Sequence, residues 1–538
     1  MATRLTIYVG VCLLLTSPSL FAQRVMYCEP YSDRFTLRED FAAKVGDYYW
    51  VQTTSRKRNT RHNADPSQSE ETTFDVYDAR MSLVNMIGNF SLPGSPLKEY
   101  LVSADDHFDQ LHLLAADKKV VVWLQRYGPA GQTLGDGHAV GDFPFFEPGN
   151  SFLLVRSEDQ NRILLLGFEF RPSLSPRLHA LLFDADWQLL SRQVYTHPFL
   201  TQPTIQDDFT SYPVEDFNDG PVKLANSGEW LMAAPSRTNS NFLLFHFGGS
   251  DTTVICKEIL LPGTSEMEDV DLSIDNEKKT AVAGILSNFH YSTLKNVQVV
   301  HYSMADRIFK FDSSYRLSTL TSGKVREGNI VKEHFVAVSG HGFMLLKEYG
   351  RPFDDWYEDD LFDPGWDPAY LFAANGIPNP GMGPSVGRPG GSVTREGYAK
   401  YRTLNGPIDH ERGDLSLYYF PAVRGDSSWS GMIGKEQVTE LNSPNLSYMV
   451  VPVRDNLLFM YNSFVHGESL YASSTIINRQ GALLSSEGIL FWGLRKTLNF
   501  QQSRQIAPDK IVIPYDRFRN GSYNGKIGFA VVLLTGGQ

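Results

Sequence analysis

The chain has 538 residues, with 49 Lys and Arg set against 61 Asp and Glu for a net charge of −12; that balance argues against nucleic acid as a partner, because a phosphate backbone selects clustered positive charge. An aromatic content of 12%, with 44 Gly and 29 Pro, describes a turn-rich chain able to build a core and not a disordered one. Three cysteines are too few for a disulfide-stapled scaffold.

In chain order, Arg4, the apolar stretch Leu5 to Leu15 and the small-residue end Phe21, Ala22, Gln23 predict a secretory leader over residues 1–22, cleaved after Ala22. Cys12 has no small residue just before it, so a lipid anchor is not expected. No later run reaches the roughly 18 apolar residues a membrane helix needs. The expected product is residues 23–538 as one exported domain, periplasmic or at the cell surface, without a transmembrane segment and monomeric. Its two remaining cysteines, Cys28 and Cys256, are compatible with one bridge or with two separate thiols, since spacing alone does not bring Cα atoms together.

A unit then recurs: an apolar strand, an Asp or Asn, a short polar turn, and a Leu opening the next strand. It reads Tyr77, Asp78 to Leu83; Phe183, Asp184 to Leu189; Phe311, Asp312 to Leu317; and Ile477, Asn478 to Leu483. Looser copies are Tyr127, Gly128 to Leu134 and Phe420, Pro421 to Trp429. Asp and Asn suit this place because their side chains bond to backbone amides two residues on. Strand-length apolar runs flank these turns: Lys119 to Gln125, Phe152 to Arg156, Ile163 to Glu169, Trp230 to Ala234, Phe242 to Phe247, Thr280 to Leu286, Phe343 to Lys347, Met449 to Val453 and Leu457 to Asn462. Hairpin punctuation stands at Asn226, Ser227, Gly228; at Ser339 to Gly342; and at Arg454, Asp455, Asn456.

Counted this way, units begin near residues 35, 97, 150, 220, 268, 330, 445 and 490. Their spacing predicts an all-β fold, a single β-propeller of seven or eight four-stranded blades. A pair of β-sandwiches is the rival architecture; the repeat persists along nearly the whole chain and favours the ring. The last unit offers Lys510 to Pro514 and Lys526 to Leu534 and is expected to borrow a strand from Val25 to Glu29, removing an open sheet edge.

One stretch breaks the rhythm. Residues 350–407 carry no strand periodicity and predict a long loop insertion in the sixth blade. Asp354, Asp355, Glu358, Asp359 and Asp360 are the residue types that gather a hard cation, although an EF-hand pattern is absent. Trp356, Tyr357 and Trp366 could stack on a sugar ring or fill a partner's groove. These eight residues are the candidate binding set, and no metal or other cofactor is assigned.

Other clusters read as structural. Asp105, Asp106, His107, Asp109 and His112 are metal-ligand types, but on a strand 107 and 109 face one way and 112 the other. Asp409, His410, Glu411, Arg412 and Asp414 read as a hydrated loop of alternating charge, and Arg56, Lys57, Arg58, Arg61 and His62 as a solvated hairpin tip. Gly425, Asp426, Ser427, Ser428, Trp429 is a partial echo of a sialidase Asp box; serine-hydrolase, Walker and zinc-helix motifs are absent.

Val25 to Pro30, the run Val76, Tyr77, Asp78 with Met81, Leu83 and Val84, Trp429 to Gln437, and Ile511 to Tyr515 with Gly528, Phe529 and Ala530 together resemble a family of secreted, propeller-like proteins of the Bacteroidota whose members have no assigned activity. The resemblance implies a fold and an envelope address and transfers no catalytic residues. The functional expectation is a non-catalytic module that binds a protein or glycan of the envelope, and the alternative is a carbohydrate-active enzyme, a hydrolase or lyase, with carboxylates at the axial mouth.

Overall fold

The computed structural model is built of strands and short turns, and its described residues lie between Phe21 and Gly536. Residues 1–20, 29–35, 57–69, 89–94, 145–150, 170–176, 197–220, 317–328, 352–409, 440–447 and 490–495, with some shorter connections, fall outside them. After β1 (Phe21–Cys28) comes a first sheet of β2 (Thr36–Val45), β3 (Tyr48–Arg56), β4 (Glu70–Tyr77) and β5 (Leu83–Ile87). The second holds β6 (Ser95–Ser103), β7 (Phe108–Ala116), β8 (Lys119–Tyr127) and β9 (His138–Phe143). The third holds β10 (Ser151–Arg156), β11 (Arg162–Glu169), β12 (Arg177–Asp184) and β13 (Leu189–Thr196). The fourth holds β14 (Val222–Leu224), β15 (Trp230–Pro235), β16 (Asn241–Phe247) and β17 (Val254–Leu260).

The fifth holds β18 (Ser265–Asp275), β19 (Thr280–Phe289), β20 (Lys295–Ser303) and β21 (Ile308–Arg316). In the sixth, β22 (Asn329–Val338), β23 (Gly342–Arg351) and β24 (His410–Pro421) are followed by β25 (Trp429–Ile433) and β26 (Gln437–Thr439), both paired with β24. The seventh holds β27 (Tyr448–Val453), β28 (Asn456–Val465), β29 (Ser469–Asn478) and β30 (Leu483–Ile489). Finally β31 (Lys496–Leu498) and β32 (Arg504–Ala507) pair with β33 (Lys510–Arg519), which pairs with β34 (Ser522–Gly536). The inner strands thus begin within a few residues of the unit starts read from the turn chemistry.

All eight sheets are antiparallel ladders of neighbouring strands, and the first strand of one meets the first strand of the next, as β10 meets β14 and β14 meets β18. Those first strands line the axis, and the fourth, such as β13 with its alternating exposed residues, lies outside. One strand's two faces serve two interfaces because side chains alternate. Leu165 and Leu181 join the second sheet's Leu111, Val122 and Phe143 in one core, whereas Leu164 and Leu166 join the fourth sheet's Trp230, Met232 and Phe245 in the next. No sheet could bury both faces alone, and stacking around an axis supplies a neighbour on each side.

The ring closes on itself. β1 pairs antiparallel with β34 from Phe21↔Gly536 to Cys28↔Phe529, four residues earlier at its start than the expected Val25, and β2 lies against β34. Cys256 is a free thiol on β17, so it forms no bridge, and burial pushes its pKa up to about 11.

The repeated Asp and Asn do close turns. Asp78 Oδ1 accepts from the amides of Arg80 and Ser82, both at 2.9 Å. Asp184 Oδ1 accepts from Asp186 at 3.0 Å and Gln188 at 2.9 Å, and Asn478 Oδ1 from Gln480 at 3.0 Å and Ala482 at 2.8 Å. One expected copy is corrected: Phe311 and Asp312 lie within β21, opposite His301 and Val300. The turn of that sheet is Ser303 to Arg307, where Ser303 Oγ accepts from the Asp306 amide at 3.3 Å. The Leu that ends each unit opens the outermost strand and faces solvent: Leu83 is 39%, Leu189 42% and Leu483 62% exposed, which removes them from the core.

Candidate functional site

Antiparallel order puts the turns between first and second, and between third and fourth, strands at one face of the ring, and the remaining connections at the other. We call these the near and far faces. The insertion connects β23 to β24 at the far face, where Gly350 pairs with Arg412 and Arg351 with Glu411. Asp354, Asp355, Trp356, Tyr357, Glu358, Asp359, Asp360 and Trp366 lie in 352–409, outside the described residues. The expected boundaries shift, since Gly350 and Arg351 still belong to β23. The charged cluster at 409–414 is corrected as well: His410 to Asp414 begin β24, held between β23 on one side and β26, through His410↔Thr439 and Arg412↔Gln437, on the other. Arg56 ends β3 opposite Glu70, and residues 57–62 fall outside the described set.

The near face is where described side chains converge. Asp109, 1% exposed, accepts a forked pair of bonds from Arg126, Nε to Oδ1 at 2.8 Å and Nη2 to Oδ2 at 3.0 Å. Trp187 Nε1, from the next sheet, donates to Oδ2 at 2.7 Å, and His107 Nε2 stands 3.2 Å from the same oxygen. Burial works to raise the Asp109 pKa, but the bonds and charges of His107 and Arg126 prevail and hold it below the usual carboxylate range. The Asp109 bond in turn raises the pKa of His107, whose Nδ1 lies 2.6 Å from Asp106. His112 points to the opposite face of β7, where burial lowers its pKa to about 4 and keeps the imidazole neutral. The metal-type residues at 105–112 are therefore divided, and among the described residues no group of three or more His, Cys, Asp or Glu is placed to hold an ion. Their chemistry goes into joining the second sheet to the third.

A second set of contacts, absent from the sequence reading, laces the first turns of three consecutive sheets. The Asp159 amide donates to Asn226 Oδ1 at 3.2 Å, the Asn226 amide to Asn276 Oδ1 at 2.8 Å, and Asn276 Nδ2 to Glu158 Oε2 at 2.9 Å. Along the axis, Asp271 on β18 accepts from the Ala337 amide of β22 at 2.7 Å and lies 3.6 Å from Lys223 Nζ of β14, linking three inner strands. Tyr100 OH and Lys98 Nζ both donate to the Phe152 carbonyl, at 2.7 and 3.2 Å. The available signal was an Asn at the matching place of successive turns, Asn226 and Asn276.

On the first strand of the second sheet, Glu99 accepts a 2.5 Å bond from Gln110 Nε2, and desolvation by the surrounding protein raises its pKa against that opposing bond. Chemically, the near face is a set of neutralised joints, and the far face carries the long connections.

No protein-family model matches the chain, and no curated protein matches it at a significant level. Among solved structures it is similar over 96% of its length to the WD40 domain of SCAP from fission yeast, covering 98% of that chain at 8% identity and a TM-score of 0.39. It is similar over 82% of its length to the beta-propeller domain of the Trilobed protease from Pyrococcus furiosus, covering 94% of that chain at 7% identity and a TM-score of 0.32. The polysaccharide lyase Uly1 is matched over 95% of this chain and 99% of its own, at 10% identity and a TM-score of 0.34. At these identities the likeness is one of fold. The class that the sheets themselves define is the β-propeller.

Proposed function

We propose that this chain is an exported binding or assembly propeller that holds a protein or glycan partner of the bacterial envelope at its far face, through the acidic and aromatic segment of the sixth sheet. The observation that carries the reading is the asymmetry of the ring. Near-face turns are short and joined blade to blade by hydrogen bonds, whereas 352–409 leaves β23 and returns in β24 within one ladder at the far face. A rigid scaffold bearing a long connection at one face is how binding residues are commonly positioned. Carboxylates among indole and phenol rings offer acceptors for hydroxyl or amine donors beside flat apolar surfaces for stacking. The export address is supported by Arg4, the Leu5 to Leu15 stretch and the small-residue end at Ala22, and the kinship by the motifs shared with secreted Bacteroidota propeller-like proteins.

The test compares the full chain with one lacking residues 354–395, on a glycan array and in capture from envelope extracts read by mass spectrometry. The expected result is a ligand retained by the full chain and lost by the deletion, with thermal midpoints agreeing within about 2 °C. Unchanged capture overturns the assignment to this segment. Depolymerisation of a captured glycan by the full chain overturns the non-catalytic reading in favour of an enzyme.

A further inference from the structure

The closing strand and the expected leader share residues. Phe21 pairs with Gly536, Ala22 with Thr535 and Gln23 with Leu534, so both sides of the Ala22–Gln23 bond stand within the β1–β34 ladder. We infer that leader removal and ring closure compete for the same backbone, and that the leader must be cut before the ring closes. The inference rests on the export reading above.

The physical argument is one of access. A peptidase needs the scissile segment free of other partners, and cutting a folded chain follows the fraction of molecules in which that segment has opened. Hydrolysis of the Ala22–Gln23 bond consumes one water, leaving a carboxylate on Ala22 of the leader and a new amino terminus on Gln23. Of the eight residue pairs in the ladder, those of Gln23 to Cys28 survive the cut, so the cleaved strand keeps six pairs and still closes the ring. An uncut chain that closes first ties the backbone of its own cleavage point into the ladder and keeps its leader.

The geometry also isolates a variant. The β33–β34 ladder begins at Lys510↔Leu533, so among the described residues Leu534, Thr535 and Gly536 pair with β1 alone. Removing residues 534–538 therefore withdraws the partners of Phe21, Ala22 and Gln23 and leaves the pairs of Arg24 to Cys28 in place.

The experiment exposes three substrates to a purified signal peptidase in detergent: the folded full chain with its leader, the same chain ending at Leu533, and a synthetic peptide spanning Leu15 to Pro30. Cleavage is read by mass spectrometry of the new Gln23 terminus. The expected result is rapid cutting of the peptide, cutting of the folded full chain slower by about tenfold or more, and recovery of most of that factor in the shortened chain. Equal rates for peptide and folded full chain overturn the competition while leaving the export reading intact. A shortened chain as resistant as the full one overturns the role of the ladder. A peptide that is not cut at Ala22–Gln23 overturns the leader reading and this inference with it.

Discussion

Asp75 sits badly in its surroundings. It alternates along β4 with Phe74 and Val76, which enter the core shared with the second sheet, and so it faces the other way, toward the closing sheet. It is 1% exposed, takes a 3.2 Å bond from Thr53 Oγ1 on Oδ2, and leaves Oδ1 with no hydrogen-bond partner among the described residues. Burial raises its pKa, and the Thr53 bond offsets only part of that. The folded state therefore favours the protonated acid. Stability from this group is complete below the unfolded value of 3.8 and is lost as pH rises through the raised folded value. Asp75→Asn, which carries no charge to desolvate, is expected to raise the unfolding free energy at pH 7 by about 1 kcal/mol and to converge on the parent near pH 4. Denaturant unfolding at the two pH values checks this; a variant less stable than the parent at pH 7 contradicts it.

At the scale of elements, the turn between the third and fourth strands does two jobs. An Asp or Asn caps it in several sheets, and its last residues include one with a left-handed backbone that reaches the preceding sheet, fourth from the turn's start at Gly131 (φ 83°), Trp187 (61°) and Gly481 (81°) and fifth at Arg307 (58°). Gly481 lies over the Trp429 ring, where an added Cβ would stand 2.7 Å from Cδ2. Trp187 accepts the backbone cost of a non-glycine residue there because its indole binds Asp109 and fills the core between the second and third sheets. Asp184→Ala should cost about 1 to 2 kcal/mol through its two lost bonds to amides, and Asp184→Asn should restore most of it, since Asn478 does the same work in the seventh sheet. Thermal unfolding of both variants decides; equal losses would show that charge and not capping geometry matters at this turn. These turns were legible in the sequence because capping is local. Phe311 and Asp312 misled because an aromatic residue followed by Asp reads the same inside an outer strand as at its beginning, while the real turn uses a serine hydroxyl and Arg307. Asn226 and Asn276 could not be paired by reading, as their bond spans fifty positions and depends on how two sheets meet.

The whole molecule was legible to the extent that its contacts are local. Seven sheets are built from consecutive strands, and the starts of second strands such as β15 and β28 followed from the hairpin punctuation read at 226–228 and 454–456. The eighth needed a partner from the other end of the chain, and there the expected strand began at Val25 where the ladder begins at Phe21. The near-face joints were illegible for the same reason: Asp109 meets Trp187 only because one sheet's core strand lies beside the next sheet's turn. The residues most suggestive of binding fall in 352–409, and the structure fixes only the strand ends, Arg351 and His410, between which they run.

Because Phe21 and Gly536 are direct ladder partners, the two strand ends can be fused by a short Gly/Ser linker and the polypeptide reopened between the third and fourth sheets, within 197–220. In such a circular permutant all eight sheets are formed from strands consecutive in the new order, and the final seam, between β10–β13 and β14–β17, is sealed by side chains such as Leu164, Trp230 and Phe245, the Asp159–Asn226 bond and the single parallel bridge Ser157↔Leu224 in place of a full strand ladder. Lower contact order should speed refolding, and the missing ladder should lower the denaturant midpoint. Stopped-flow refolding and equilibrium unfolding of the permutant would separate the two contributions, and an unchanged midpoint would mean that the packed sheet faces and the few bonds between their turns keep the circle shut without a strand ladder.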